Sequence, residues 1–287
     1  MLKNRKFFVK FLTPTALVLL LTASSAGAVP NLSNASLATP ETQRTLLLPA
    51  AADNSPVISL GSAVDPQTGL RVEGIAFIHR KNNSAKPGGQ NAGATRTSCF
   101  SYLAKDAKWK AVEPWLVNPD NTRGLGSDFV FDNLTADIEK WEDAADGLLG
   151  NGTGANILGS GFTATTTLSA DTAAPDGQNE VYFADVSSAG AIAVTIVWGI
   201  FSGPPSGRQL VEWDMVFDDT DYDWSASGEA GKMDFENIAT HELGHAVGFG
   251  HPSDSCVEET MYRYADYGET KKRDLNAGDI AGANKLY

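Results

Sequence analysis

From Phe131 onward the apolar positions recur at steps of three and four: Phe131, Leu134, Ile138, Trp141, Ala145 and Leu148. That spacing gathers them on one face of a helix and turns the intervening polar residues outward. Elsewhere the period shortens to that of strands. KWKAVEPWLVN (108–118) and VYFADVS (181–187) are strand candidates, and LRVEGIAFIHR (70–80) is another. AIAVTIVWGI (191–200) is almost unbroken in its apolarity, as expected of a central strand covered on both faces. In QLVEWDMVFDD (209–219), Val211, Trp213, Met215 and Phe217 alternate with Glu212 and Asp214. That alternation predicts a half-buried strand, and an edge position suits it. A second helix is expected from Asp234, whose side chain would cap it, with Met233 stapled onto Ile238. A short third helix, NAGDIAGANKLY, would be capped by Asn276 and run to Tyr287.

The N-terminal pattern is of another kind. MLKNRKFFVK carries Lys3, Arg5, Lys6 and Lys10 and no acid; TALVLLLTA follows, then Ala26-Gly27-Ala28. This is the order of a secretory signal peptide over residues 1–28, too short in its apolar part to span a bilayer. The expected product is secreted and soluble. With 22 basic and 35 acidic residues the net charge is −13, and losing four basic residues with the signal makes it −17. Such an excess of acid argues against nucleic acid and anionic membrane surfaces as partners. Residues 29–98 read as a leader, propeptide or linker. Val29 to about Pro66 is rich in Ala, Ser, Asn, Thr and Pro, and KNNSAKPGGQNAGATRTS (81–98) has linker composition. The main domain is expected over residues 99–287, as a monomer. Two cysteines, Cys99 and Cys256, in an exported chain read by default as a disulfide.

Of the four histidines, three fall within HELGHAVGFGH, 241–251. On a helix His241 and His245 stand one turn apart on the same side. Two imidazoles so placed hold one zinc at about 2.0–2.1 Å each. Glu242 lies beside the first. Gly248 falls where the helix must stop, and glycine tolerates the left-handed conformation that ends one. The chain then returns and offers His251 as a third ligand. Three protein ligands leave the fourth position to water, the pattern of a catalytic zinc.

His-Glu-x-x-His-x-x-Gly-x-x-His followed by Met261 in ETMYRY resembles the metzincin signature. DFENIATHELGHAVGFGH, the Met261-Tyr262 pair and GDIAGANKLY further resemble the matrixins, so the likeness extends from Cys99 to Tyr287. It implies an α+β zincin domain: a twisted mixed sheet, an active-site helix and a C-terminal helix. It also implies zinc on His241, His245 and His251, Glu242 as general base, and Met261 as a hydrophobic floor that does not ligate. A protein or peptide substrate would pair with an edge strand, a role that 209–219 fits.

FDDTDYDW resembles the matrixin stretch that helps bind calcium, with Asp218 and Asp221 as the matching carboxylates. It is not an EF-hand, because Trp224 stands where the turn glycine belongs. A solvated acidic loop is the alternative. Other positions depart from the family. Pro252 replaces the usual serine, as in serralysins, whose calcium repeats are missing. Arg263 stands where astacins carry tyrosine, with Tyr262 and Tyr264 on either side. The second zinc of many animal matrixins is not expected, since only His79 lies outside the motif. Cys99, in TRTSCFSY, lacks the Pro-Arg-Cys-Gly context of the zinc-blocking propeptide cysteine. A disulfide to Cys256 is the simpler reading, and a thiolate on zinc the other. The function implied is a zinc endopeptidase. Two alternatives are a non-catalytic zinc-bound adhesion module, for which Glu242 has no use, and a zinc amidase or esterase.

Overall fold

Residues 44–49, 55–82 and 96–287 are described in a computed structural model of the chain. The expected signal peptide, most of the leader and most of the linker lie outside the described residues. In chain order the strands are β1 (Thr45–Leu46), β2 (Val57–Val64), β3 (Arg71–Lys81), β4 (Ser101–Tyr102) and β5 (Trp115–Val117). Helix α1 (Ser127–Asp143) comes next, then β6 (Gly161–Thr163), β7 (Asn179–Val186), β8 (Ala191–Ile200) and β9 (Gln209–Asp218). They are followed by β10 (Trp224–Ser225), β11 (Met233–Asp234), α2 (Phe235–Ala246), β12 (Phe249–Gly250), β13 (Tyr264–Ala265) and α3 (Ala277–Leu286).

The main sheet runs β13-β3-β8-β9-β7-β5-β6, with β2 added to β3 and β1 to β7. β2, β3, β8 and β9 pair antiparallel in succession, whereas β9, β7, β5 and β6 pair parallel. This mixed sheet with three helices is the α+β architecture expected. One face packs on the helices through Trp115, Trp141, Trp213, Phe217, Phe235 and Phe249. The other carries a second core with Ile58, Val72, Ile78, Ile196, Trp198 and Val216. Cores on both faces explain why β8 is apolar almost throughout.

Three expectations need correction. First, β9 is not an edge; it lies between β8 and β7. Its alternating acids face inward: Glu212 and Asp214 are each 1% exposed. Backbone N–H groups of Asp171 (2.9 Å) and Glu180 (3.2 Å) bind Asp214, and that of Gly177 binds Oε2 of Glu212, whose Oε1 is buried without a partner. Second, the boundary set at Cys99 falls inside one compact unit, Thr39–Tyr287. β2 and β3 belong to the same sheet as the rest, and β3 makes eight residue pairings with β8. Third, α1 buries Leu134, Ile138 and Trp141 as its period requires, with Val130 buried and the expected Phe131 only half-buried, but a 3-10 turn, Ala144–Asp146, and Gly147 at φ +89° end it. Leu148 is therefore past the helix and exposed.

Candidate metal centre

Helix α2 begins where expected. Asp234 accepts the N–H of Asn237 at 3.1 Å, and its carboxylate is clamped by Arg273. Every residue of the helix but Glu236 is buried, so its registry is fixed by packing rather than by propensity. It ends as Gly248 turns back at φ +105°, a backbone that a side chain strains.

These two features bring His241, His245 and His251 together, one ring nitrogen from each lying within 4.8 Å of the others. His241 donates Nδ1–H to the Thr260 carbonyl at 2.6 Å, and His245 donates Nδ1–H to that of Phe249 at 2.8 Å. Both bonds fix the tautomer and turn the Nε2 lone pair inward. Those two Nε2 atoms, and both ring nitrogens of His251, are buried without a hydrogen-bond partner. Buried polar atoms left bare are costly. A divalent ion that takes imidazole nitrogens at tetrahedral angles satisfies them, so the donor set fits zinc. Burial holds all three imidazoles below their ordinary pKa, His245 at about 3, so they stay neutral as ligands must.

Met261 lies fully buried beneath the helix, against Gly244. α3 holds it there: Asp279 accepts the N–H groups of Thr260 (2.8 Å) and Met261 (3.4 Å), and that of Asn276 at the helix's own start (3.0 Å). The disulfide joins Cys99 to Cys256 and ties the segment before β4 to the loop after His251. Cys99 is thus not a thiolate directed at the metal. Asp218 uses both oxygens on backbone N–H groups, of Thr220 (3.0 Å), Asp221 (2.6 Å) and Val186 (3.0 Å). This is the bonding of a turn closed on itself.

Glu242 is wholly buried, and burial pushes its pKa up to about 8 against the pull of Thr195 and Lys272. Its Oε2 accepts the Thr195 hydroxyl at 2.5 Å and its Oε1 accepts Nδ1–H of His79 at 3.1 Å. Lys272, also buried, donates to His79 Nε2 at 2.9 Å. His79, Thr195 and Lys272 escaped the sequence reading because no spacing links them to α2. The one available hint was the fourth histidine, in a strand pattern beside Phe77.

A mixed sheet with helices on one face, and convergent imidazoles from one helix and its exit loop above a buried methionine, define a metzincin-like zincin domain. Residues 204–287 match the family model for matrixin, so the likeness to matrixin-type metzincins is shown over that catalytic region. Metalloendoproteinase 1-MMP of Arabidopsis thaliana is 43% identical over 68 residues, 23% of this chain and 17% of that protein. Metalloendoproteinase 1 of Glycine max is 40% identical over 75 residues, 24% of each. Human matrilysin is 39% identical over 69 residues, 24% of this chain and 25% of matrilysin. The matched segment thus spans a quarter or less of these relatives' length. Among the described residues no helix is long and apolar enough to cross a membrane.

Proposed function

We propose that this chain is a secreted zinc-dependent endopeptidase in which His241, His245 and His251 hold the metal and Glu242 is the general base. The observation that carries this reading is the set of four buried ring nitrogens without partners, converging beside a buried carboxylate. Bound zinc would supply a Lewis acid that acidifies water and polarises a carbonyl. Glu242 would take the proton of the attacking water and deliver it to the leaving amine nitrogen. Thr195 would keep the carboxylate oriented through its bond to Oε2. Met261 and the Asp279 anchor would hold α2 and the third histidine in register.

The test is zinc content per chain together with casein cleavage, with and without o-phenanthroline. One zinc and chelator-sensitive cleavage are expected. Glu242→Ala should keep the zinc and lose nearly all cleavage; substantial residual activity in a pure preparation would refute the assignment. Casein against a library of non-peptide amides and esters separates the peptidase from an amidase or esterase. Zinc without any hydrolysis would favour the adhesion module.

A further inference from the structure

The segment between β6 and β7, residues 164–178, packs Leu168 and Ala170 onto the second core, on the sheet face away from the helices. Its backbone is fastened to that face at two points. Asp171 N–H donates to Oδ2 of Asp214 at 2.9 Å, and the Asp171 carbonyl accepts Nε1–H of Trp198 at 2.8 Å. Gly177 N–H donates to Oε2 of Glu212, and the Gly177 carbonyl accepts the Gln67 side chain at 3.2 Å. Glu212 precedes Trp213, which packs on the helix side, so its own carboxylate points to the opposite face. There Asp171, Asp176 and Glu212 meet, one oxygen of each lying within 4.8 Å of the others.

This group differs from a solvated acidic loop. Glu212 is 1% exposed and its Oε1 has no hydrogen-bond partner; Oδ2 of Asp171 is likewise buried and bare. Asp176 stands on the exposed side. Its two oxygens accept the Gln178 N–H at 2.8 Å and the Gln178 side-chain amide at 3.0 Å, which leaves a lone pair on each. Among the described residues no Lys or Arg forms an ion pair with any of the three. Burial above all, with the charges of Asp171 and Asp176 added, raises the Glu212 pKa against the pull of the Gly177 N–H. Bare carboxylate oxygens packed against like charges are costly unless a cation lies among them.

We propose that Asp171, Asp176 and Glu212 form a calcium site that clamps the 164–178 segment to β9. Three carboxylates with no nitrogen or sulfur donor suit a hard cation. Their unequal exposure, from a buried anchor to a solvent-facing rim, suits the adaptable shell of calcium better than the strict octahedron of magnesium. Glu212 is the anchor, Asp171 the half-buried second ligand and Asp176 the rim. The site is separate from the 218–221 turn, where Asp218 uses both oxygens on backbone N–H groups. It does not depend on the endopeptidase reading, because the three ligands lie on the sheet face away from α2.

The test uses zinc-loaded full-length protein in a Glu242→Ala background, which removes any self-cleavage. Calcium is titrated by calorimetry, and terbium, which takes calcium sites, reports position by luminescence excited through the neighbouring Trp198. Calcium should bind at about 0.1–1 mM, the range of extracellular modules. Glu212→Gln and Asp176→Asn each remove one ligand charge, so each should weaken calcium at least about tenfold and lose most of the emission. Glu212→Gln keeps the shape of the side chain, and its metal-free form should melt no lower than the parent. Asp176 is exposed, so Asp176→Asn tests the site without disturbing the core. Trp224 bonds the Asp218 carbonyl at 2.8 Å, so a cation on the 218–221 turn would luminesce as well. Asp221→Asn should leave both readouts unchanged; emission lost there and kept in Glu212→Gln would overturn the assignment. No calcium binding would overturn it too, as would a Glu212→Gln variant that melts higher with calcium affecting neither protein, the behaviour of carboxyls closed by a shared proton.

Discussion

Gly244 separates helix propensity from packing at the metal centre. It lies inside α2, between the two helical histidines, where a Gly→Ala change gains about 0.5–1 kcal/mol from backbone entropy alone. The added Cβ would overlap Met261 Sδ and lie 2.7 Å from Trp141 Cζ2 and 3.0 Å from Met261 Cε. Neither neighbour has room to yield, because both are 0% exposed. Trp141 is pinned by its Nε1–H on the Thr240 carbonyl at 2.8 Å, and Met261 by Asp279. Overpacking of this kind costs about 1–3 kcal/mol, and with two constrained partners the upper figure applies. The net loss for Gly244→Ala is then about 2 kcal/mol, or a fall of roughly 4–8 °C in Tm for a unit of this size. Scanning calorimetry of the metal-free and zinc-loaded protein measures it. Zinc affinity should also fall, because the displaced methionine lifts the helix that carries His241 and His245. An unchanged or higher Tm with undiminished zinc affinity would show that the floor is soft and that this packing argument is wrong.

The other predictions concern the supports of the site. Cys99→Ser with Cys256→Ser opens a cross-link spanning 157 residues, for which the loop-entropy relation gives about 5 kcal/mol; a change in urea unfolding of less than about 1 kcal/mol, close to the extrapolation error of such melts, would refute it. Gly248→Ala forces a side chain into φ +105°, so a loss of about 1–3 kcal/mol is expected, together with weaker zinc retention in a chelator competition. Burial, then the neighbouring Asp279, raises Glu259 to about 7. Its protonated form is thus favoured in the folded state, and the resulting stability is complete below pH 4.5 and lost as pH rises through 7. Glu259→Gln cannot ionise, so the variant should gain on the native protein between pH 4.5 and 8 in urea melts; parallel pH profiles would contradict the assignment.

The parts that could be read from the sequence are those encoded within one or two helical turns. The cap at Asp234, the i, i+4 spacing of His241 and His245 on α2, the turn at Gly248 and the Leu134–Ile138–Trp141 part of the α1 face are all local, and the structure has each at that spacing, whereas Leu148 falls past the end of α1. The misreadings are non-local. β9 shows the alternation of a half-exposed strand, yet Glu212 and Asp214 face N–H donors from residues 171–180, some thirty to forty positions away. β3 was identifiable as a strand, but its partner β8 lies about 120 residues further on, and nothing in LRVEGIAFIHR names that partner. Asp279 stands in the first turn of α3, and nothing in the local sequence marks it as the anchor of the methionine turn.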